Sequence, residues 1–172
     1  ELRLGKLNGK YFDTNVREKV FSKILESLYK YSEWEEIKEI NSTSYFIGEK
    51  RMDINEDTDE RNSFIKKRLT KIDHVIPGQP LDVRFSTAQE LPIDELDCDQ
   101  EMDSMRCKQR KSFIRKNLSI DMTIVSKEPD DPDDESENFY EIELEIIDPQ
   151  KVKNDKEFYN LIYKVQCILN TL

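Results

Sequence analysis

Three glutamates occupy every second position of Tyr140-Glu141-Ile142-Glu143-Leu144-Glu145-Ile146. Alternate residues of a β-strand share a face. Glu141, Glu143 and Glu145 therefore line one side, and Tyr140, Ile142, Leu144 and Ile146 the other. Carboxylates about 6.5–7 Å apart along a strand repel one another. Bulk water, basic side chains on neighbouring strands or a divalent cation can offset that repulsion. A second row carries the opposite sign: Arg106, Lys108 and Arg110, with Ser112, fall on one face of their segment. Arginine forks onto phosphate oxygens and lysine meets them as a point charge. A hard cation among carboxylates, facing basic residues across a cavity, is the equipment of phosphoryl transfer.

The rest of the chain narrows the chemistry. There is one histidine, His74, and the three cysteines, Cys98, Cys107 and Cys167, show no CxxC spacing. That argues against a zinc site and against His-based nucleophilic catalysis. Any metal is expected to be Mg²⁺ or Mn²⁺ held by carboxylates. No P-loop and no GxGxxG occurs. The net charge of −10 disfavours a broad basic surface for duplex nucleic acid, although basic residues converging in a cavity can still hold a polyanion. The odd cysteine count without a framework reads as reduced and intracellular. No apolar run approaches 18 residues and there is no signal peptide, so no membrane partner is expected.

The 172 residues suffice for one domain with a real core. Because the chain begins with Glu1, the reading is a single domain over 1–172, excised from a longer protein. Helical spacing of Val16, Val20, Phe21, Ile24, Leu25 and Leu28 predicts a first helix, with Thr14 as its N-cap. Phe158, Leu161, Ile162, Val165, Ile168, Leu169 and Leu172 predict a second, with Asp148-Pro149 as its start signal. Almost everything between reads as strands joined by polar loops at 55–62, 94–104 and 127–138. In Leu81 to Leu91, Asp82, Arg84, Ser86 and Glu90 share a face; in Ile120 to Val125, Asp121 and Thr123 do; around Ile65 to Thr70, Lys66, Arg68 and Thr70 do. A half-exposed sheet also alternates. Charge of one sign clustered on each of several strands is better explained by a closed barrel with a polar lumen, its apolar outer face covered in part by the helices.

These strands resemble those of the metal-dependent RNA 5′-triphosphatases of fungi, protozoa and large DNA viruses, within the triphosphate tunnel metalloenzyme group. The likeness is nearest to the N-terminal domain of giant-virus, mimivirus-like, mRNA capping enzymes and covers nearly the whole chain in order. The family opens with Glu-x-Glu-x-Arg/Lys-x-Gly; here ELRLG supplies Glu1, Arg3 and Gly5, with Glu1 in the place of the second glutamate. DVRFS, RCKQR, IDMT and EIELE match the later strands. The resemblance implies a mainly β (α+β) fold, an eight-stranded antiparallel β-barrel tunnel with flanking helices. It implies removal of the γ-phosphate from the 5′-triphosphate end of RNA, the first step of mRNA capping. Glu1, Glu143 and Glu145 would bind Mg²⁺ or Mn²⁺, Glu143 more as the residue that orients the attacking water. Arg84, Arg106, Lys108 and Arg110 would hold the triphosphate, with Lys66 and Arg68 as further basic contacts. Asp121, Thr123, Glu141 and Glu90 would support them. The fungal pattern has a basic residue where this chain has Ser119; Lys66 or Arg68 substitutes, or the cradle is smaller.

The implied partners are triphosphate-ended RNA, nucleoside triphosphates, and a guanylyltransferase domain in the same chain or complex. The implied location is intracellular, the host cytoplasm or the virion if the source is viral. Two other functions use the same residues. One is a tunnel enzyme acting on tripolyphosphate or a nucleoside triphosphate. The other is a non-catalytic barrel that binds a polyanion.

Overall fold

A computed structural model describes residues 1–94, 96, 102–127 and 137–172. Cys98 and most of the two loops expected at 94–104 and 127–138 lie outside the described residues. The elements are β1 (Leu2–Asn8), β2 (Tyr11–Asp13), α1 (Glu18–Lys30), β3 (Glu36–Ile47), β4 (Lys50–Asn55), β5 (Arg61–His74), β6 (Asp82–Pro92), β7 (Ser104–Arg115), β8 (Leu118–Lys127), β9 (Asn138–Ile146) and α2 (Asp155–Leu169). The sheet order is β2-β1-β6-β5-β4-β3-β7-β8-β9, and β9 pairs back onto β1. Eight strands thus close into an antiparallel barrel, while short β2 continues the far end of β1. Closure leaves the wall without a free edge.

Period-two patterning decides which side faces in. Leu2 and Leu4 of β1, Ile120 and Met122 of β8, and Ile142 and Leu144 of β9 are almost wholly buried. They pack outward against Phe21, Ile24 and Leu28 of α1 and Val165, Ile168 and Leu169 of α2. Full burial of one such side chain contributes roughly 1.5–3 kcal/mol. The hydrophobic core therefore lies outside the barrel, between its wall and the helices, and the intervening residues on each strand face the lumen.

Three local expectations are corrected. Thr14 does not cap α1: Arg17, at φ 71°, holds the N-cap position without a side-chain cap bond, and Thr14 Oγ1 instead donates to Glu141 Oε1 at 3.0 Å. Asp148-Pro149 opens a separate 3₁₀ turn over Pro149–Lys151, where the Asp148 carboxylate accepts from Gln150 N; α2 begins only at Asp155. Thr70 does not share a face with Lys66 and Arg68. A bulge between Arg68 and Thr70 shifts the register against β6, so Lys66 faces Glu90 and Arg68 faces Ala88, while Thr70 meets Thr87 on the outside.

At Gly5 the short strand β2 comes down closely on β1. A Cβ there would lie 2.2 Å from Asp13 O and 2.5 Å from a Phe12 ring carbon. The absence of a side chain lets β2 fold across the strand and set Phe12 beside the lumen.

Candidate active site in the barrel lumen

The acidic row of β9 is set beside β1 by the pairs Leu2↔Leu144 and Arg3↔Glu143. Its other flank meets β8, with Ser119↔Glu145, Asp121↔Glu143 and Thr123↔Glu141. β8 is in turn paired with the basic row of β7, with Arg110↔Thr123 and Ser112↔Asp121. Four consecutive strands thus place carboxylates and cations on one wall.

Arg3 holds the acidic side together. Its guanidinium pairs with Glu1, lies 2.5 Å from Glu143 Oε1, and reaches Glu141 at 3.8 Å. Lys66 bridges Glu1 at 3.4 Å and Glu90 at 3.6 Å. On the basic side, Arg110 meets Asp121 at 3.4 Å and Glu143 Oε2 at 3.5 Å, and its Nε donates to Thr123 Oγ1 at 3.2 Å. Ser119 Oγ donates to Asp121, which fixes that carboxylate for Arg110. Lys108 Nζ donates to Ser44 Oγ at 2.8 Å; Ser44 donates to Asp53, which Arg51 grips through two nitrogens at 2.7 and 2.6 Å. Lys108 thereby belongs to a chain of hydrogen bonds spanning β7, β3 and β4.

The electrostatics follow from these contacts. Burial raises the Glu1 carboxyl, but Arg3 and Lys66 outweigh it and hold the pKa down to about 2. Glu143 is buried, and that pushes its pKa up against the opposing pull of Arg3 and Arg110. Partial burial and the nearby Asp121 carboxylate raise Glu145, which stands more open to solvent. Burial, reinforced by Arg51, lowers Lys108 to about 8.

Of the remaining predicted residues, Arg84 is the register partner of Arg3 and Arg106 that of Ser44. Arg84 forks onto Asp73 at 2.6 and 3.0 Å and stacks over the Phe12 ring of β2 at 4.5 Å. Arg68 is exposed, and Glu90 meets the site through Lys66. Arg106 lies over the Phe46 ring at 5.3 Å.

Several contributors were not singled out from sequence: Arg51, Asp53, Ser44 and Asp73, and no role was given to Arg3. Arg51 and Asp53 carried a signal, being alternate residues in the Lys50–Asn55 segment. Asp73 carried none, because the bulge puts it out of phase with Lys66 and Arg68.

The model of the family described as mRNA capping enzyme, beta chain, the mRNA triphosphatases, matches residues 11–161. The chain belongs to that family. It is accordingly an RNA 5′-triphosphatase, a hydrolase acting on the 5′-triphosphate end of RNA in mRNA capping. The fold agrees. The Schizosaccharomyces pombe Pct1 RNA triphosphatase superposes with a TM-score of 0.82 at 17% identity, covering 99% of this chain and 76% of that one. The mimivirus capping enzyme triphosphatase gives 0.61 at 17% identity, covering 98% and 89%. The triphosphatase domain of a trifunctional mimivirus mRNA capping enzyme gives 0.51 at 18% identity, covering 96% and 88%. No curated protein matches the sequence.

The family is one of metal-dependent triphosphatases. The carboxylates of this chain suit a hard cation. Glu143 Oε1 is buried, and the Arg3 guanidinium, 2.5 Å away, is its one contact among the described residues. Glu1 and Glu145, one residue beyond the Leu2↔Leu144 pair on either strand, repel each other, and Glu1 and Glu141 both repel Glu143. Carboxylates that crowd one another in this way, on a wall closed to bulk water, are fitting ligands for a divalent ion. Among the described residues no three carboxylates form a ready-made cage, because the Arg3 guanidinium stands between them.

Proposed function

We propose that hydrolysis takes place in the lumen between the β9 carboxylates and the β7 basic row. The observation that carries this reading is Glu143: a buried carboxylate held between Arg3 and Arg110, with only β8 between its strand and the Lys108 row. Lys108 and Arg110 bind oxygens of the terminal phosphates, Arg110 oriented by Asp121 and Thr123, and Lys108 by Ser44. Arg84, held by Asp73, meets the phosphates from the opposite wall. Lys66 and Arg68 raise the positive potential along the tunnel. Glu143 accepts a hydrogen bond from water and aligns it with the γ-phosphorus. The water oxygen forms the new bond as the bond to the β-bridging oxygen breaks, leaving inorganic phosphate and a 5′-diphosphate RNA end. Glu141, tied to Thr14 and Arg3, keeps Glu143 in place. Glu1, Glu143 and Glu145 would hold Mg²⁺ or Mn²⁺, which supplies charge neutralisation on the transferred phosphoryl group. A diphosphate end is the substrate of guanylylation. A guanylyltransferase, in the same chain or complex, is the natural partner, as the trifunctional make-up of the mimivirus enzyme suggests.

Phosphate release from triphosphate-ended RNA, ATP and tripolyphosphate, each with Mg²⁺, with Mn²⁺ and with chelator, tests this. Release from RNA that requires metal is expected. Release from tripolyphosphate alone would remove the capping role.

A further inference from the structure

Two phenylalanines interrupt the polar lining of the lumen. Phe46 is one residue from the end of β3, on the same face as Ser42 and Ser44, and opposite Arg51. Phe64 of β5 is opposite Arg51 on the other side. Arg106, near the start of β7, lies over Phe46 at 5.3 Å; Arg51 lies over Phe46 at 5.7 Å and over Phe64 at 5.2 Å. Cations and rings alternate across four adjacent strands at one rim of the tunnel.

Arg106 differs from the other basic residues of its row. Arg110 has Asp121, Glu143 and Thr123, and Lys108 has Ser44. Arg106 makes no ion pair with a carboxylate among the described residues; its guanidinium, half-buried, is positioned by the Phe46 ring. Arg106 and Arg110 are four residues apart on one strand, about 13 Å. With the terminal phosphates at Lys108 and Arg110, the substrate's next part, its first nucleoside, reaches the rim where Arg106 lies. A guanidinium plane backed by an aromatic ring is a stacking surface for a base.

We propose that Arg106, positioned by Phe46, is the nucleoside rest of the tunnel: the first base of the RNA stacks on the Arg106 guanidinium, so this rim selects nucleotide-borne triphosphates over inorganic tripolyphosphate. This assigns a specificity role within the triphosphatase reading, on which it rests. Phe46 is a positioning residue; because Arg51 also lies over its ring, the readout is the ratio of RNA to tripolyphosphate binding, which a change at Arg51 alone would alter for both ligands.

The test is equilibrium binding by calorimetry, which needs no turnover and so fails separately from the hydrolysis assay. Kd is measured for a triphosphate-ended oligonucleotide and for tripolyphosphate, in the wild type, Phe46→Leu and Phe46→Tyr. Leucine fills the site without a π-face, and tyrosine keeps one. Phe46→Leu is expected to weaken RNA binding about tenfold relative to tripolyphosphate, in the range of losing one base stack. Phe46→Tyr is expected to retain the wild-type ratio. A ratio unchanged in Phe46→Leu, a ratio lost equally in Phe46→Tyr, or a wild type that holds RNA no better than tripolyphosphate would overturn the proposal.

Discussion

Replacing Glu143 with glutamine separates the stability of the lumen from its chemistry. The side chain keeps its shape and loses its charge. Glu143 faces Arg3 at 2.5 Å and Arg110 at 3.5 Å. Removing one member of a buried pair usually costs 3–5 kcal/mol, because a lone charge is left behind. Here neither cation is left alone: Arg3 keeps Glu1 and Glu141, and Arg110 keeps Asp121 and Thr123. The substitution also removes the cost of burying an anion, the same burial that raises the Glu143 pKa. These effects oppose each other, so the expected stability change is within about 1.5 kcal/mol. That is a shift of no more than about 6 °C in melting temperature for a domain of this size. The catalytic loss should be far larger, at least about 10²-fold in kcat, the scale of removing one preorganised electrostatic group. Calorimetric melting and phosphate release from γ-labelled RNA, on the same preparation, read both numbers. A variant that melts normally and retains more than a tenth of the wild-type rate would refute the role given to Glu143. A variant that loses more than 3 kcal/mol would refute the claim that its neighbours remain paired.

Lys108 should impose an alkaline limb on binding. Burial and Arg51 lower its pKa to about 8, so the phosphate-binding ammonium is lost as pH rises through that value. kcat/KM, which reports free enzyme, should fall towards tenfold per pH unit above about 8, and Lys108→Arg should remove that limb. The same shift has a stability signature: between about 8 and the ordinary lysine pKa the unfolded chain binds more protons, so Lys108 makes stability rise with pH across that window, measurable by denaturant titration. Gly5→Ala should cost about 3 kcal/mol and lower the melting temperature by roughly 6–12 °C, because the new methyl meets backbone oxygen at 2.2 Å. Normal melting would show that β2 does not cross so tightly. Glu145→Ala should slow RNA hydrolysis at least about 10²-fold, whereas Glu49→Ala should stay near the wild-type rate. Glu49 is an exposed residue of the turn between β3 and β4, not of a strand. Equal effects of the two would remove Glu145 from the site.

The barrel was legible because its signal is redundant. The acidic row Glu141-Glu143-Glu145 alternates with apolar residues at each step, the basic row Arg106-Lys108-Arg110 repeats its charge with the same period, and β8, paired to both strands, brings the two rows to one side of the barrel. The limits of that signal are as physical as its strength. Period two holds only while the strand is regular, so the bulge before Thr70 reversed that residue and concealed Asp73, which faces Arg84. Capping motifs were read as local, yet Thr14 is taken by Glu141, 127 residues away. The Arg51–Asp53 pair was visible as alternation but carries both signs on one short strand, so it did not stand out as a row. Arg3 was seen as part of a motif. Its place among three carboxylates depends on the β1–β9 closure, which no single segment encodes.

The central claim is that the lumen removes one phosphate, the γ, from the 5′ end of RNA. The direct measurement uses two RNAs of the same sequence, one labelled at the γ-phosphate and one at the α-phosphate, incubated with the domain and Mg²⁺ or Mn²⁺. The γ label is expected to leave as inorganic phosphate while the α label stays on RNA with a diphosphate end, and chelator is expected to stop the release. Release of pyrophosphate, conversion to a monophosphate end, or γ-phosphate release that persists in chelator would contradict it.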